Sequence, residues 1–220
     1  MKLASLHAHF SNIHYIEQCL SSLPIESMHF VDPGLLMKVQ SDEHFSDIAA
    51  RRKVKEQIEW IAETNVDAIL ITCTNYIALL DEVVLDLSVP IIKIDEPYFS
   101  FVCSIEQPQI ILFTNPATVT ATMQRLKEYA ISHHKLIDVE AVVIDDSFHL
   151  LMQGKKYEYN EKVTNFIMLL MEDGEKNISV AQLSMVEAAD RISENYNKMI
   201  MHPLKMLAST LTNTYHSEKM

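Results

Sequence analysis

Short apolar runs rich in branched residues alternate along this chain with stretches whose apolar positions recur at helical spacing. Residues 3–6 predict a first strand, and Ile13, Ile16, Glu17 and Leu20 fall at the spacing of a helix. Residues 28–31 predict a second strand, broken by Asp32-Pro33-Gly34. Phe45, Ile48 and Ala49, then Val54, Ile58, Ile61 and Ala62, mark one face of a long helix. Residues 68–72 are apolar or β-branched throughout, the pattern of a strand buried on both faces of a parallel sheet. That run stops at Cys73, and Ile77, Leu80, Val83 and Val84 predict the helix after it. Residues 89–94 predict a fourth strand, closed by Asp95-Glu96-Pro97.

The alternation then begins again, with strands predicted at 110–114, 139–144, 178–181 and 198–201. Helices are predicted at 117–130, around Val163, Phe166, Ile167 and Leu170, and at 185–196 and 204–211. Gly174 is placed to cap the second of them. Such a chain predicts an α/β fold with parallel strands and right-handed crossovers. The two halves match at an offset of 109 residues, which lays 178–186 over 69–77 and Asp190 over Asp81. Gln182 then stands opposite Cys73, and Ser184 opposite Asn75. The expected architecture is two pseudo-symmetric subdomains, each a parallel four-stranded sheet flanked by helices, with the active-site cleft between them. Residues 1–97 with 203–220 make the N-terminal subdomain, and 98–202 the C-terminal one.

Composition narrows the function classes. The chain has 220 residues, 48% hydrophobic and 22% charged, enough for real cores. A net charge of −12 argues against a nucleic-acid partner. The basic run Arg51-Arg52-Lys53-Val54-Lys55 lies within the long helix pattern and is read as a solvated face. No apolar run approaches the ~18 residues of a membrane span. The N-terminus turns polar too early for a signal peptide. Three cysteines (Cys19, Cys73 and Cys103), odd in number and unevenly spaced, do not form a disulfide framework. A cytoplasmic, reduced protein is expected.

Cys73 is the first candidate for chemistry. It ends a buried strand just before a helix, where open α/β sheets hold their ligands. The N–H groups opening that helix favour an anion, and a thiolate with it. The competing reading is a small buried hydrophobe, which is how Cys19 is read. Thr114 and Thr118 flank Asn115-Pro116 and compete for a capping role. His7 and His9, two apart, share a face if the first strand reaches that far. His-x-His invites zinc, but the remaining histidines show no ligand spacing and the chain is short for an eight-stranded barrel. No metal is expected. His7, His9 or His202 is instead a proton donor or carboxylate partner titrating near neutral pH.

The chain resembles the aspartate/glutamate racemase superfamily, which also includes hydantoin racemase, maleate isomerase and arylmalonate decarboxylase. The likeness lies in Ile69-Leu-Ile-Thr-Cys-Thr-Asn-Tyr, Val89-Pro-Ile-Ile-Lys-Ile-Asp-Glu-Pro and Ile111-Leu-Phe-Thr-Asn-Pro-Ala-Thr. It continues in Val180-Ala-Gln-Leu-Ser-Met, Val31-Asp-Pro-Gly-Leu-Leu and Leu6-His7, so it covers essentially the whole chain. The resemblance implies a cofactor-independent enzyme, a homodimer in this family, acting on a small carboxylate or amino acid. It implies two cysteines on opposite sides of the substrate α-carbon, one taking a proton and the other giving one. It implies Thr74, Asn75, Thr114, Thr118 and Ser184, with His7, as carboxylate-binding groups. The chain departs from the pattern at Gln182, which stands where the second cysteine belongs and has no usable proton to exchange. Two-cysteine racemisation is therefore not expected. The reading is an isomerase or decarboxylase-type enzyme with Cys73 as its catalytic group and Gln182 facing substrate. The alternative is a catalytically silent carboxylate-binding relative.

Overall fold

A computed structural model describes residues 1–80, 83–174, 176–196 and 198–217; Asp81, matched above to Asp190, lies outside the described residues. The chain divides into two compact units, Met1–Glu96 with Ala208–Met220, and Pro97–Leu207. No helix among the described residues is long and apolar enough to cross a membrane.

The first unit runs β1 (Lys2–His7), α1 (Asn12–Leu20), β2 (Glu26–Val31), α2 (Gly34–Ser41), α3 (Asp47–Ala62), β3 (Ala68–Ile71), α4 (Thr74–Leu80) and β4 (Ile91–Lys93). Its four strands are parallel in the order β2-β1-β3-β4. Every residue of β3 is buried, as the unbroken apolar run requires of a central strand covered on both faces. The face of α3 that packs inward is Ala50, Val54, Ile58 and Ile61. Ser46 opens this helix by accepting from the Ala49 N–H at 3.3 Å, which leaves Ile48, expected on the inner face, 80% exposed. The basic run lies outward, with Arg52, Lys53 and Lys55 paired to Glu56 and Glu59 along the helix. Each such pair contributes only a few tenths of a kcal/mol, against about 1.5–3 for each buried aliphatic side chain. Packing holds α3 in place. The short α2 was not legible as a helix; Asp32 Oδ1 caps it by accepting from the N–H groups of Gly34 at 2.8 Å and Leu35 at 3.3 Å. Among the described residues α4 covers Thr74–Leu80, and Val83 and Val84 are not helical.

The second unit repeats the pattern with α5 (Glu96–Val102), β5 (Gln109–Phe113), α6 (Val119–Ser132), β6 (Val139–Val143), α7 (Ser147–Met152), α8 (Lys156–Asp173), β7 (Asn177–Val180) and α9 (Val186–Tyr196); α10 (Pro203–Ser217) begins in it, and its residues from Ala208 on belong to the first unit. Its sheet has three parallel strands in the order β6-β5-β7. The expected fourth strand reduces to a single parallel bridge, Ser179 to Met201, closed by the Val180 N–H on Met201 O at 2.9 Å. The Ile200 N–H goes to the Ser193 hydroxyl at 3.1 Å. Gly174 ends α8 in the left-handed region, φ 68°, as the cap position demands. One face of the sheet packs Tyr159, Val163 and Ile167 against Ala188 and Ile192; the other packs Phe99, Phe113 and Leu126.

Candidate functional site

In the first unit the strand order reverses between β1 and β3, and open α/β sheets hold ligands at the carboxyl ends of the strands on either side of such a point. His7 is the last residue of β1, and Cys73 follows the end of β3 by two residues. The ladder extends one step past β3, with the Thr72 N–H on Leu6 O at 3.1 Å, and then the chain turns into α4. Cys73 is half-buried, Thr74 half-buried and Asn75 exposed. Burial pushes the Cys73 thiol up, and the backbone N–H groups of Asn75 and Tyr76 that bond it only partly offset this. The N–H groups opening α4 thus favour the thiolate as expected, and burial opposes it more strongly. Behind it Tyr76 is fully buried and donates to Asp32 O, while Gln57 donates to the Asp32 carboxylate. Cys103 is buried just past α5, and burial raises Cys19 on α1 to about 11.

His7 is fully buried and belongs to a chain of hydrogen bonds that composition and spacing did not reveal. Its Nδ1 lies 2.8 Å from Thr72 Oγ1, and its Nε2 lies 2.9 Å from His29 Nδ1. His29 Nε2 donates to Glu17 Oε1 at 2.6 Å, since a carboxylate only accepts. Ser27 also donates to Glu17, and Asn12 Nδ2 reaches Thr72 Oγ1 at 3.4 Å. The β1–β2 register explains the meeting: His29 pairs with Ser5, two residues from His7 and therefore on the same face. His9 lies beyond β1, exposed and bonded to Ser11 Oγ at 2.8 Å. Among the described residues no three His, Cys, Asp or Glu side chains converge to hold a metal ion.

Burial first, and His29 second, lower His7 from 6.5 to about 4. Between those values the unfolded chain binds more protons than the folded one, so stability is complete above pH 6.5 and falls as pH drops toward 4. The expected loss between pH 7 and pH 5 is about 2 kcal/mol. Urea midpoints at the two pH values measure it, in a window above the region where Glu17 and Asp190, both held below their ordinary values, begin to protonate. Equal midpoints would show that His7 keeps an ordinary pKa.

The second unit has its own strand-end cluster. Gln182 follows β7 by two residues, as Cys73 follows β3. Its Oε1 accepts from the Thr114 N–H at 2.6 Å, Thr114 Oγ1 at 2.8 Å and the Asn115 N–H at 3.0 Å. Its Nε2 donates to Thr118 Oγ1 at 2.9 Å, leaving at most one amide N–H for a ligand. Thr114 is buried, 3.1 Å from the Tyr159 hydroxyl, which donates to Ser184 Oγ at 2.8 Å. Thr114, Thr118, Gln182 and Ser184 thus form one connected cluster. The capping role falls to Asn115, whose side chain accepts from the Ala117 N–H at 3.1 Å. His202 is buried and bonds Asp190 at 3.1 Å. Burial opposes ionisation of Asp190, but the His202 and Lys205 bonds and charges outweigh it and hold the carboxyl at about 2.

Two parallel α/β sheets of four and three strands, each with polar groups gathered at the carboxyl ends of neighbouring strands, define the aspartate/glutamate racemase-like fold. An aspartate racemase from Picrophilus torridus matches at a TM-score of 0.70 and 13% identity, covering 97% of this chain and 93% of that one. An allantoin racemase from Klebsiella pneumoniae matches at 0.69 and 17% identity, over 99% of this chain and 89% of that one. A glutamate racemase from Bacillus anthracis matches at 0.63 and 12% identity, over 98% and 82%. No protein-family model matches the sequence, and no curated protein matches it significantly. At these identities the likeness is one of fold.

Proposed function

We propose that this chain is a cofactor-independent enzyme of the aspartate/glutamate racemase superfamily that acts on a small carboxylate through a single thiol. Cys73 is its proton donor. The observation that carries this reading is the half-buried Cys73 at the turn after β3, bonded by two backbone N–H groups and with its thiol pushed up by burial. A thiol in that state gives a proton before it takes one, and the same N–H groups then hold the thiolate that remains. The equivalent position of the second unit offers no partner base, because the Gln182 carboxamide is engaged by Thr114, Asn115 and Thr118. One-sided chemistry follows. In a decarboxylation the C–C bond breaks, its electron pair stays on the α-carbon as an enolate, and Cys73 protonates that carbon from one face. Solvent then restores the thiol. Isomerisation of an unsaturated diacid uses the same thiol: sulfur bonds one alkene carbon as its proton goes to the other, the resulting single bond rotates, and the reverse elimination restores the alkene and the thiol. Neighbours named as aspartate and glutamate racemases support amino acids and related carboxylates as the substrate class.

The test is incubation in deuterated water with amino acids, substituted malonates and maleate. One-face deuterium incorporation into a product is expected. Exchange at the α-carbon of both enantiomers of an amino acid would overturn the one-sided reading. The committed Gln182 also favours a second reading, a silent carboxylate binder. That protein would show a raised melting temperature with a saturating carboxylate and no turnover on any of them.

A further inference from the structure

Glu17, His29, His7 and Thr72 form one uninterrupted line of hydrogen bonds from solvent to the end of β3. The Glu17 side chain is 52% exposed, His29 16%, and His7 is fully buried. Each histidine has both ring nitrogens engaged, so the protons along the line are interdependent. With both rings neutral there is one consistent arrangement. His29 Nε2 donates to Glu17, His7 Nε2 donates to His29 Nδ1, and the Thr72 hydroxyl donates to His7 Nδ1. Adding one proton at His29 makes both its nitrogens donors. His7 Nε2 must then accept, the ring proton is on Nδ1, and Nδ1 donates to Thr72 Oγ1. The Thr72 hydrogen needs a new acceptor, and Leu6 O lies 3.3 Å from Oγ1. Both arrangements leave every group bonded. Asn12 Nδ2 donates to Thr72 Oγ1 in either.

We propose that Glu17, His29 and His7 are a two-state proton relay that sets the direction of the Thr72 hydroxyl beside Cys73. All three are positioning residues. The charged groups that act on the relay are its own members: Glu17 from α1 on His29, and His29 from β2 on His7 of β1. The His7 Nε2 proton passes to His29 Nδ1, a proton from solvent takes its place on His7 Nδ1, and the added charge rests on His29 opposite Glu17, so buried His7 stays neutral and changes only its tautomer. The hydroxyl that moves is on the residue immediately before Cys73, so the relay couples solvent pH to the polar lining of that strand end. Its service to Cys73 rests on the function proposed above; the relay itself does not.

The test is the ring-nitrogen NMR spectrum of the ¹⁵N-labelled protein without substrate, followed from alkaline to acid pH. His29 is expected to go from one protonated nitrogen to two, while His7 exchanges a proton on Nε2 for one on Nδ1 with the same midpoint. Glu17→Gln, a change at an exposed side chain, is expected to lower that shared midpoint by about one pH unit or more. A His7 ring that keeps its Nε2 proton while His29 titrates would overturn the relay. So would a midpoint unmoved by Glu17→Gln in a protein whose backbone spectrum is unchanged. Because the spectra need no substrate, absence of turnover bears on the proposed function alone.

Discussion

Cys73→Ser is expected to lower kcat/KM by about 10²–10⁴-fold, the usual contribution of one positioned proton donor, and to leave the melting temperature unchanged. The substitution is close to isosteric, the side chain is half-buried, and serine Oγ can accept the same Asn75 and Tyr76 N–H groups. What changes is acidity. Even raised by burial, a thiol gives up its proton far more readily than an aliphatic hydroxyl, and the thiolate left behind is stabilised where an alkoxide is not. Steady-state kinetics on any substrate found in the carboxylate assays, with a thermal melt on the same preparation, measures both halves. Turnover that survives the substitution would remove Cys73 from the mechanism.

The second large effect is structural. Gln182→Ala is expected to destabilise the protein by about 3 kcal/mol, because it removes the acceptor shared by two backbone N–H groups and the Thr114 hydroxyl. Thr114 is 2% exposed, so its N–H has little access to water as a substitute. Each buried donor left alone costs about 1–3 kcal/mol, and partial solvation near half-buried Gln182 keeps the total at the lower end. Gln182→Glu retains the acceptor and should cost much less. Urea denaturation of the two variants decides it; a Gln182→Ala loss within ~0.5 kcal/mol, the range of neutral surface changes, would mean that the bonds at Gln182 hold nothing together. The outcome bears on function as well. A residue whose carboxamide fastens the β5 and β7 ends is poorly suited to exchange protons with a substrate.

Much of this was written along the chain. The unbroken run at β3 announced a central parallel strand, because a strand covered on both faces has no reason to alternate. The offset of 109 residues placed Cys73 and Gln182 in equivalent positions, and each follows its strand by two residues. The expected second sheet was one strand too long: residues 198–201 keep a single bridge, Ser179 to Met201, and how far a segment pairs depends on how two segments meet in space. The short helices α2 and α7 were hidden by turn-forming residues: α2 follows Asp32-Pro33, and α7 follows Asp146 at φ 56°.

By itself, then, the sequence determined the α/β alternation, the internal repeat and the strand-end placement of Cys73 and Gln182, all consequences of local periodicity and spacing. Tertiary structure alone decided what surrounds those positions. Burial opposes the thiolate that the N–H groups opening α4 favour at Cys73, and desolvation is a property of what surrounds a group in three dimensions. The bonding of Gln182 to residues 64 to 68 positions away exists only because β5 and β7 are neighbours in the sheet. The pairing of His7 with His29, and through it the path to Glu17, follows from the β1–β2 register.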